Sequence, residues 1–271
     1  MSSIHPTALV EASAQVGNGA EVGPFCIVGA GVVLEAEVRL LSHVVIDGPT
    51  RIGARTVVHP FSRLGGPPQD ASYRGEPTAL EIGPDCLIRE HVTMHRGTAR
   101  GAGVTRVGAR GHFMAYAHIG HDAQVGDDVT MANAATLGGH VRIGAGATLG
   151  GLSAVHQRCR VGRLAMVGGL AGVVSDMAPF TLAYGHHATL RGLNLVGLRR
   201  RGMERASLRR LHAAYAFLFE GDGVFAERIE QAQQRFGEDA FAGELIAFVA
   251  AGGERPLMHS GRRWRVGPDS D

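Results

Sequence analysis

The apolar residues of this chain keep a period of six. From Ile4 onward every sixth residue is aliphatic: Val10, Val16, Val22, Val28, Leu34, Leu40, Ile46, Ile52, Val58 and Leu64. The same phase returns at Ile82, Ile88 and Met94. After a slip of one residue it runs from Val107 through Phe113, Ile119, Val125, Met131, Leu137, Ile143, Leu149, Val155, Val161 and Val167 to Val173. With 45% apolar residues, an unbroken series this long arises by chance about once in a billion trials. Four residues after each of these positions stands a small or β-branched residue, as at Ala8, Cys26, Val44, Ala117, Ala135 and Ser153. Glycine often follows the aliphatic residue, as at Gly17, Gly23, Gly126 and Gly162, where the chain must turn a corner. Short strands separated by corners predict a mainly β protein, a β-solenoid. Three hexads close one triangular coil, and coils pair through backbone hydrogen bonds about 4.8 Å apart.

The period breaks at two loops. Residues 65–81 form a Pro/Gly-rich excursion, and residues 96–106 (RGTARGAGVTR) form a basic, glycine-rich one. Loops that leave a rigid scaffold are common places for binding residues. Hexads end after Asp176, and from about Met203 the spacing becomes helical, with Leu208, Leu211, Tyr215, Leu218 and Phe219 on one face. Two shorter helices are expected at 223–236 and 239–251. The chain therefore divides into a solenoid over residues 1–185 and a helical segment over residues 186–271, which serves as a cap for the open coil end.

Composition adds less. No run approaches the roughly 20 apolar residues of a membrane span, and the first residues lack a basic start followed by an apolar run. A cytoplasmic protein without a membrane span is expected. Lysine is absent, so all 27 basic residues are arginine, and a lysine-dependent phosphate loop is excluded. Seven arginines (191, 199, 200, 201, 205, 209, 210) crowd the start of the helical segment against the single acid Glu204. Such a run is either a solvated face or a dock for an acidic protein or a phosphate. Nucleic acid is not expected, because no aromatics alternate with the arginines. Cys26, Cys86 and Cys159 all fall on the small inward column and are expected as packed, reduced thiols.

Chemistry concentrates at Ala117-His118-Ile119-Gly120-His121-Asp122. Ile119 and Ala123 take the inward columns, so His121 faces away from the core. A neutral imidazole accepts a proton near pH 7, and an adjacent carboxylate can orient it and stabilise its charged form.

The segments IREHVTMHRGT (88–98), AHIGHD (117–122), ANAATLGGHV (132–141), AVHQ (154–157), MVGGLAG (166–172) and GHHATLRGLNLVGLRRRG (185–202) resemble the UDP-N-acetylglucosamine acyltransferases. The similarity runs in order from about residue 4 to residue 202. It implies a left-handed parallel β-helix, a homotrimer, and no cofactor or metal. The implied reaction is direct transfer of a 3-hydroxyacyl chain from acyl carrier protein to the glucosamine 3-hydroxyl of UDP-N-acetylglucosamine, the first step of lipid A synthesis. Carried onto this chain, His121 is the general base, Asp122 its holder, and the Gly139 N–H the oxyanion donor. The resemblance puts His95, His118, His140 and His156 in a cleft between subunits. Gln157 lies near the sugar, and Asp70 near the sugar or the acyl hydroxyl. His187 joins the substrate-binding set, while Asn194 and Arg200 lie near the nucleotide. Gly169, with Met166 nearby, stands where a bulkier residue would shorten the acyl groove, so a long chain is expected. The chain departs from the family pattern at Ser72, where lysine is common, at Gly120 and at His186.

Three rivals are open on the residues alone. A 3-amino analogue of the sugar nucleotide would use the same machinery. A zinc-dependent, carbonic anhydrase-like solenoid would need three histidines to converge, and His91, His95, His118 and His121 are candidates. A non-catalytic scaffold would be indifferent to loss of His121.

Overall fold

In a computed structural model, described over residues 1–260, the hexads wind into a left-handed parallel β-helix of triangular section. The first face starts at Ser3–Ile4 and continues through Glu21–Val22, Arg39–Leu40 and their successors to Thr181–Tyr184. The second runs from Leu9–Val10 to Gly172–Val173, and the third from Gln15–Val16 to Arg160–Val161. Strands are mostly two residues long, since a hexad leaves four residues for the corner. Each pairs in parallel with the strand one coil on, for example His118↔Thr136 and Ile119↔Leu137. Both loops leave the pairing of the flanking coils in place, apart from a bulge between Leu64 and Gly66 where the first loop departs. Val57 and Val58 pair with Leu87 and Ile88 across the first, and Thr93 and Met94 pair with His118 and Ile119 across the second.

The corners carry a common backbone signature. Three residues after an inward aliphatic residue, φ is about +60°, and most of these positions are not glycine. Left-handed backbone costs an L-residue with a Cβ, but here coil stacking imposes it repeatedly. Side chains at these positions point outward and stack from coil to coil. Each corner therefore becomes a ladder. The first-to-second corner carries Phe25, His43, Phe61, His91 and Tyr116, with adjacent rings 4.7–5.1 Å apart. The third-to-first corner is charged, with Arg55 on Asp85 and Arg110 on Asp127 and Asp128. The second-to-third corner carries Asp122, His140 and Arg158.

One continuous core runs from Ala20 into the helices. Ile4, expected on the inward column, is instead 46% exposed, and Ala8, Val10, Ala14 and Val16 are only partly buried. They belong to the first coil, which has a neighbour on one side only. Cys26, Cys86 and Cys159 are buried and free. Burial pushes the Cys86 and Cys159 thiols up to about 11, as inert packed groups require.

The far end is closed by four helices: α1 Leu195–Arg200, α2 Arg205–Phe219, α3 Phe225–Phe236 and α4 Ala240–Ala250. Helix α2 buries Leu208, Leu211, Ala214, Tyr215 and Leu218. The spacing picks out this face except for Ala214. Helix α1 and the strand Thr189–Leu193 are additions that no period announces. That strand pairs antiparallel with Thr181–Tyr184, carrying the first face beyond residue 185. Arg163 on Glu244 ties α4 to the coil. The chain then folds back, with Leu257 bridging to Asp176 and Ser260 to Leu190. Residues 261–271 of the expected helical segment lie outside the described residues.

Candidate active site

The second-to-third corner builds the site. His121 opens one corner turn, and its Nδ1 lies 2.9 Å from Asp122 Oδ2. Asp122 is 3% exposed. Burial alone would raise its carboxyl pKa, but hydrogen bonds from His121 and Thr98 outweigh this and hold it below the ordinary carboxylate value. An ionised carboxylate only accepts, so Nδ1 must carry the proton. The Nε2 lone pair is then free for a substrate, the tautomer a general base needs.

The loop at residues 96–106 supplies the rest of the cradle. The Thr98 N–H reaches both Asp122 oxygens at 3.1 and 3.0 Å, and the Thr98 hydroxyl donates to Oδ2 at 2.7 Å. The Ala102 N–H donates to Oδ1 at 2.9 Å, and the Asp122 N–H donates to Thr105 Oγ1 at 2.8 Å. A Cβ at Gly101 would lie 2.4 Å from the carboxylate, so only glycine lets the loop approach this closely. Sequence reasoning marked the loop as a place for binding residues, but no spacing signals that it grips Asp122. The nearest signal is the HRGT segment of the resemblance.

Gly139, one coil on, is a second close approach. A Cβ there would lie 2.5 Å from His121 Nε2 and Cε1. Its carbonyl accepts from the Arg158 N–H, while its own N–H makes no backbone hydrogen bond among the described residues. A bare donor therefore stands beside the imidazole. His140 meets the His121 ring edge-on at 5.0 Å, and burial is the first cause of its lowered pKa. His118 Nδ1 lies 2.8 Å from Thr93 Oγ1, and its ring meets His95 edge-on at 5.2 Å. Burial, then the charges of His118, Arg63 and His121, push His95 down to about 4. Burial, then His121, lowers His118 too. Crowding thus favours the neutral form of His95, His118 and His140, which can accept or donate without charge.

Asp70 is held by the Ser72 N–H at 2.8 Å, which with other hydrogen bonding from Ser72 lowers its pKa. The charges of His121 and Arg100 add to this. Ser72 thus shapes the Asp70 turn. His156 and Gln157 are exposed, and Arg255 of the returning C-terminal segment donates to His156 Nδ1 at 2.9 Å and the Gln157 carbonyl at 3.1 Å.

The remaining candidates lie elsewhere. Met166 sits on the first face, in register with Thr148 and Leu182. Gly169 is beside the aromatic corner, where a Cβ would meet the Gly151 carbonyl at 3.3 Å. His187 is exposed in the turn before Thr189–Leu193. Asn194 caps α1, accepting from the Gly197 N–H and donating to the Leu164 carbonyl. Arg200 is exposed at the end of α1. Among the described residues none of these five shares a hydrogen bond, ion pair or ring contact with His121, whose partners are Asp122 and His140.

His91, one of the four histidines considered for zinc, is on the aromatic ladder between Phe61 and Tyr116. The residues that do converge are His121, Asp122 and His140, with ligand atoms within 4.8 Å of one another. Asp122 already serves the donors of Thr98, Ala102 and His121, so a cation there would have to displace them.

Stacked hexad coils with a histidine–aspartate pair on a glycine-rich corner mark a hexapeptide-repeat acyltransferase. Residues 176–258 match the family profile described as UDP-N-acetylglucosamine O-acyltransferase, domain 2. The chain is 50% identical over 255 residues to the acyl-[acyl-carrier-protein]–UDP-N-acetylglucosamine O-acyltransferase of Caulobacter vibrioides, covering 94% of this chain and 97% of that one. Identity to the enzyme of the same name from Azorhizobium caulinodans is 52% over 259 residues, covering 96% of each. The solved UDP-N-acetylglucosamine acyltransferase of Campylobacter jejuni superposes with a TM-score of 0.89 at 34% identity, covering 95% of this chain and 99% of that one. The Francisella novicida structure gives 0.92 at 32% identity, covering 95% and 94%. The chain belongs to the acyl-[acyl-carrier-protein]–UDP-N-acetylglucosamine O-acyltransferase family.

Proposed function

We propose that this protein transfers a 3-hydroxyacyl chain from acyl carrier protein to the 3-hydroxyl of UDP-N-acetylglucosamine, with His121 as the base. The observation that carries the mechanism is the His121–Asp122 contact with the bare Gly139 N–H beside the ring. His121 Nε2 takes the hydroxyl proton as the sugar oxygen attacks the thioester carbonyl. The Gly139 N–H meets the oxyanion of the tetrahedral intermediate. Collapse breaks the C–S bond, and the imidazolium returns its proton to the leaving thiolate. No bond to the enzyme forms. His95, His118, His140, His156, Gln157 and Asp70 are the polar groups around the sugar and the acyl 3-hydroxyl.

The acting unit is a homotrimer, in which Met166, Gly169, His187, Asn194 and Arg200 of the partner subunit complete the cleft. An apolar ladder supports this: Phe25, Phe61, Tyr116, Leu152 and Leu170 are 55–63% exposed along one corner. Exposed apolar patches of this extent mark interfaces. The groove of about 930 Å³ lined by Arg199, Arg205, Arg209 and His212 suits the acidic carrier protein. The cytoplasm is part of the same proposal. As a separate matter, no helix of the described residues is long and apolar enough to cross a membrane. Transfer assays with 3-hydroxyacyl carrier proteins, comparing wild type with His121→Ala, test the reading. Transfer that the substitution abolishes supports it, while transfer to the 3-amino sugar nucleotide alone would move the acceptor assignment.

A further inference from the structure

On the third face the outward column runs Arg51, Glu81, Arg106, Gln124, Arg142, Arg160, one residue per coil in direct register. Over the first coils the arginines have acidic partners: Arg51 pairs with Glu35, and Arg106 with Glu81 at 2.9 Å. Arg160 is also satisfied, at 2.6 Å from buried Asp176. Arg142 breaks the rule. It is exposed, has no ion pair among the described residues, and lies in register with Arg160, and like charges side by side on a sheet are destabilising. Gln124 offers it no charge and spends its amide on the Val104 and Asp122 carbonyls.

At this point the surface opens into a cavity of about 660 Å³, which Arg142 lines together with Arg100, Arg158 and Arg160. Arg100 is likewise exposed and makes no ion pair among the described residues. The cavity's two carboxylates are already engaged, Glu254 by Arg158 at 2.6 Å and Asp122 by its own cradle. Two guanidiniums therefore line the cavity without a close ion pair among the described residues, Arg142 with no acid beside it and Arg100 acting only at longer range on Asp70 and Glu76. Asp122 and His140 form part of its wall, so an anion bound here would lie beside the catalytic corner. Guanidinium forks favour phosphate.

We propose that this cavity binds a phosphate group of one of the two substrates, with Arg142 and Arg100 as its contacts; the assignment rests on the function proposed above. Two sources share the chemistry, the phosphodiester of the carrier's pantetheine arm and the diphosphate of the sugar nucleotide. The test is steady-state transfer by the whole enzyme and by the double variant Arg100→Gln/Arg142→Gln, varying each substrate in turn. Losing two charge-assisted hydrogen bonds raises KM for the phosphate's owner by about ten-fold or more, and the larger part of the effect falls in KM. A rise confined to the carrier thioester, absent with phosphate-free S-acyl pantetheine, assigns the carrier arm. A rise confined to UDP-N-acetylglucosamine assigns the nucleotide. Unchanged KM for both overturns the proposal. Calorimetry with inorganic pyrophosphate separates this from the function itself. In a protein that shows no transfer, binding lost in the double variant still supports the cavity, and equal or absent binding in both proteins sinks it.

Discussion

At the scale of single residues, the carboxylate beside the proposed base is the most informative place to intervene. Asp122→Asn keeps the size of the side chain but puts an NH₂ where one oxygen now accepts from Thr98 or His121. Either a donor in the cradle is left facing another donor, or the imidazole loses its acceptor and the Nδ1 proton is no longer fixed. The expected loss in kcat is roughly 10²- to 10⁴-fold, read by transfer assay, with a drop in folding temperature from the mismatched buried donor, read by calorimetry. His95 makes a different prediction, about stability. Its pKa falls from 6.5 to about 4 in the fold. Between those pH values the unfolded chain binds the proton and the folded chain does not, so stability falls as pH drops through that window. Calorimetry at stepped pH would show wild type losing melting temperature from about pH 6.5 to 4. His95→Gln should lose less, and an identical loss would mean that other groups dominate the acid limb.

At the scale of elements, the loop at 96–106 and helix α1 show where reading the chain succeeds and where it stops. Inward columns are legible because each coil repeats one packing problem, so Ile119 and Ala123 are placed by arithmetic and His121 by exclusion. The grip of Thr98 on Asp122 is not legible: the partners are 24 residues apart, and a loop outside the period has no register to extrapolate. Helix α1 is missed for another reason. With six residues and one buried side chain, it has no amphipathic stripe. What defines it is the Asn194 cap, which reads in sequence as one more polar residue of the resemblance. That double reading is testable. Asn194→Ala should cost about 1 kcal/mol by chemical denaturation from the lost cap, alongside any rise in KM for the nucleotide. Thr98→Val, which keeps the shape and removes the hydroxyl, should lower kcat by about ten-fold or more, with Thr98→Ser restoring most of it. Equal activity in all three would reduce the loop to scaffolding.

At the scale of the whole molecule, the division of candidate residues between two regions of one chain becomes a statement about assembly. His121 is on the second-to-third corner, whereas Asn194 is anchored to Leu164 near the third-to-first corner, with Arg200 at the other end of the same short helix. If each cleft takes its base from one subunit and its α1 contacts from the next, two inactive variants can rescue each other. His121→Ala supplies an intact α1, and Arg200→Ala supplies an intact base. Unfolded together in equal amounts and refolded, they assemble at random, and about a quarter of the clefts in a cyclic trimer receive both intact parts. Transfer should therefore recover to about a quarter of that of refolded wild type, against near zero for His121→Ala refolded alone. A site complete within one chain predicts no recovery above the mean of the two variants. A third variant guards against failure to assemble: Tyr116→Glu, on the apolar ladder, should abolish both the proposed trimer, measured by light scattering, and the rescue, because it would bury a charge at the contact proposed to bring the two halves together.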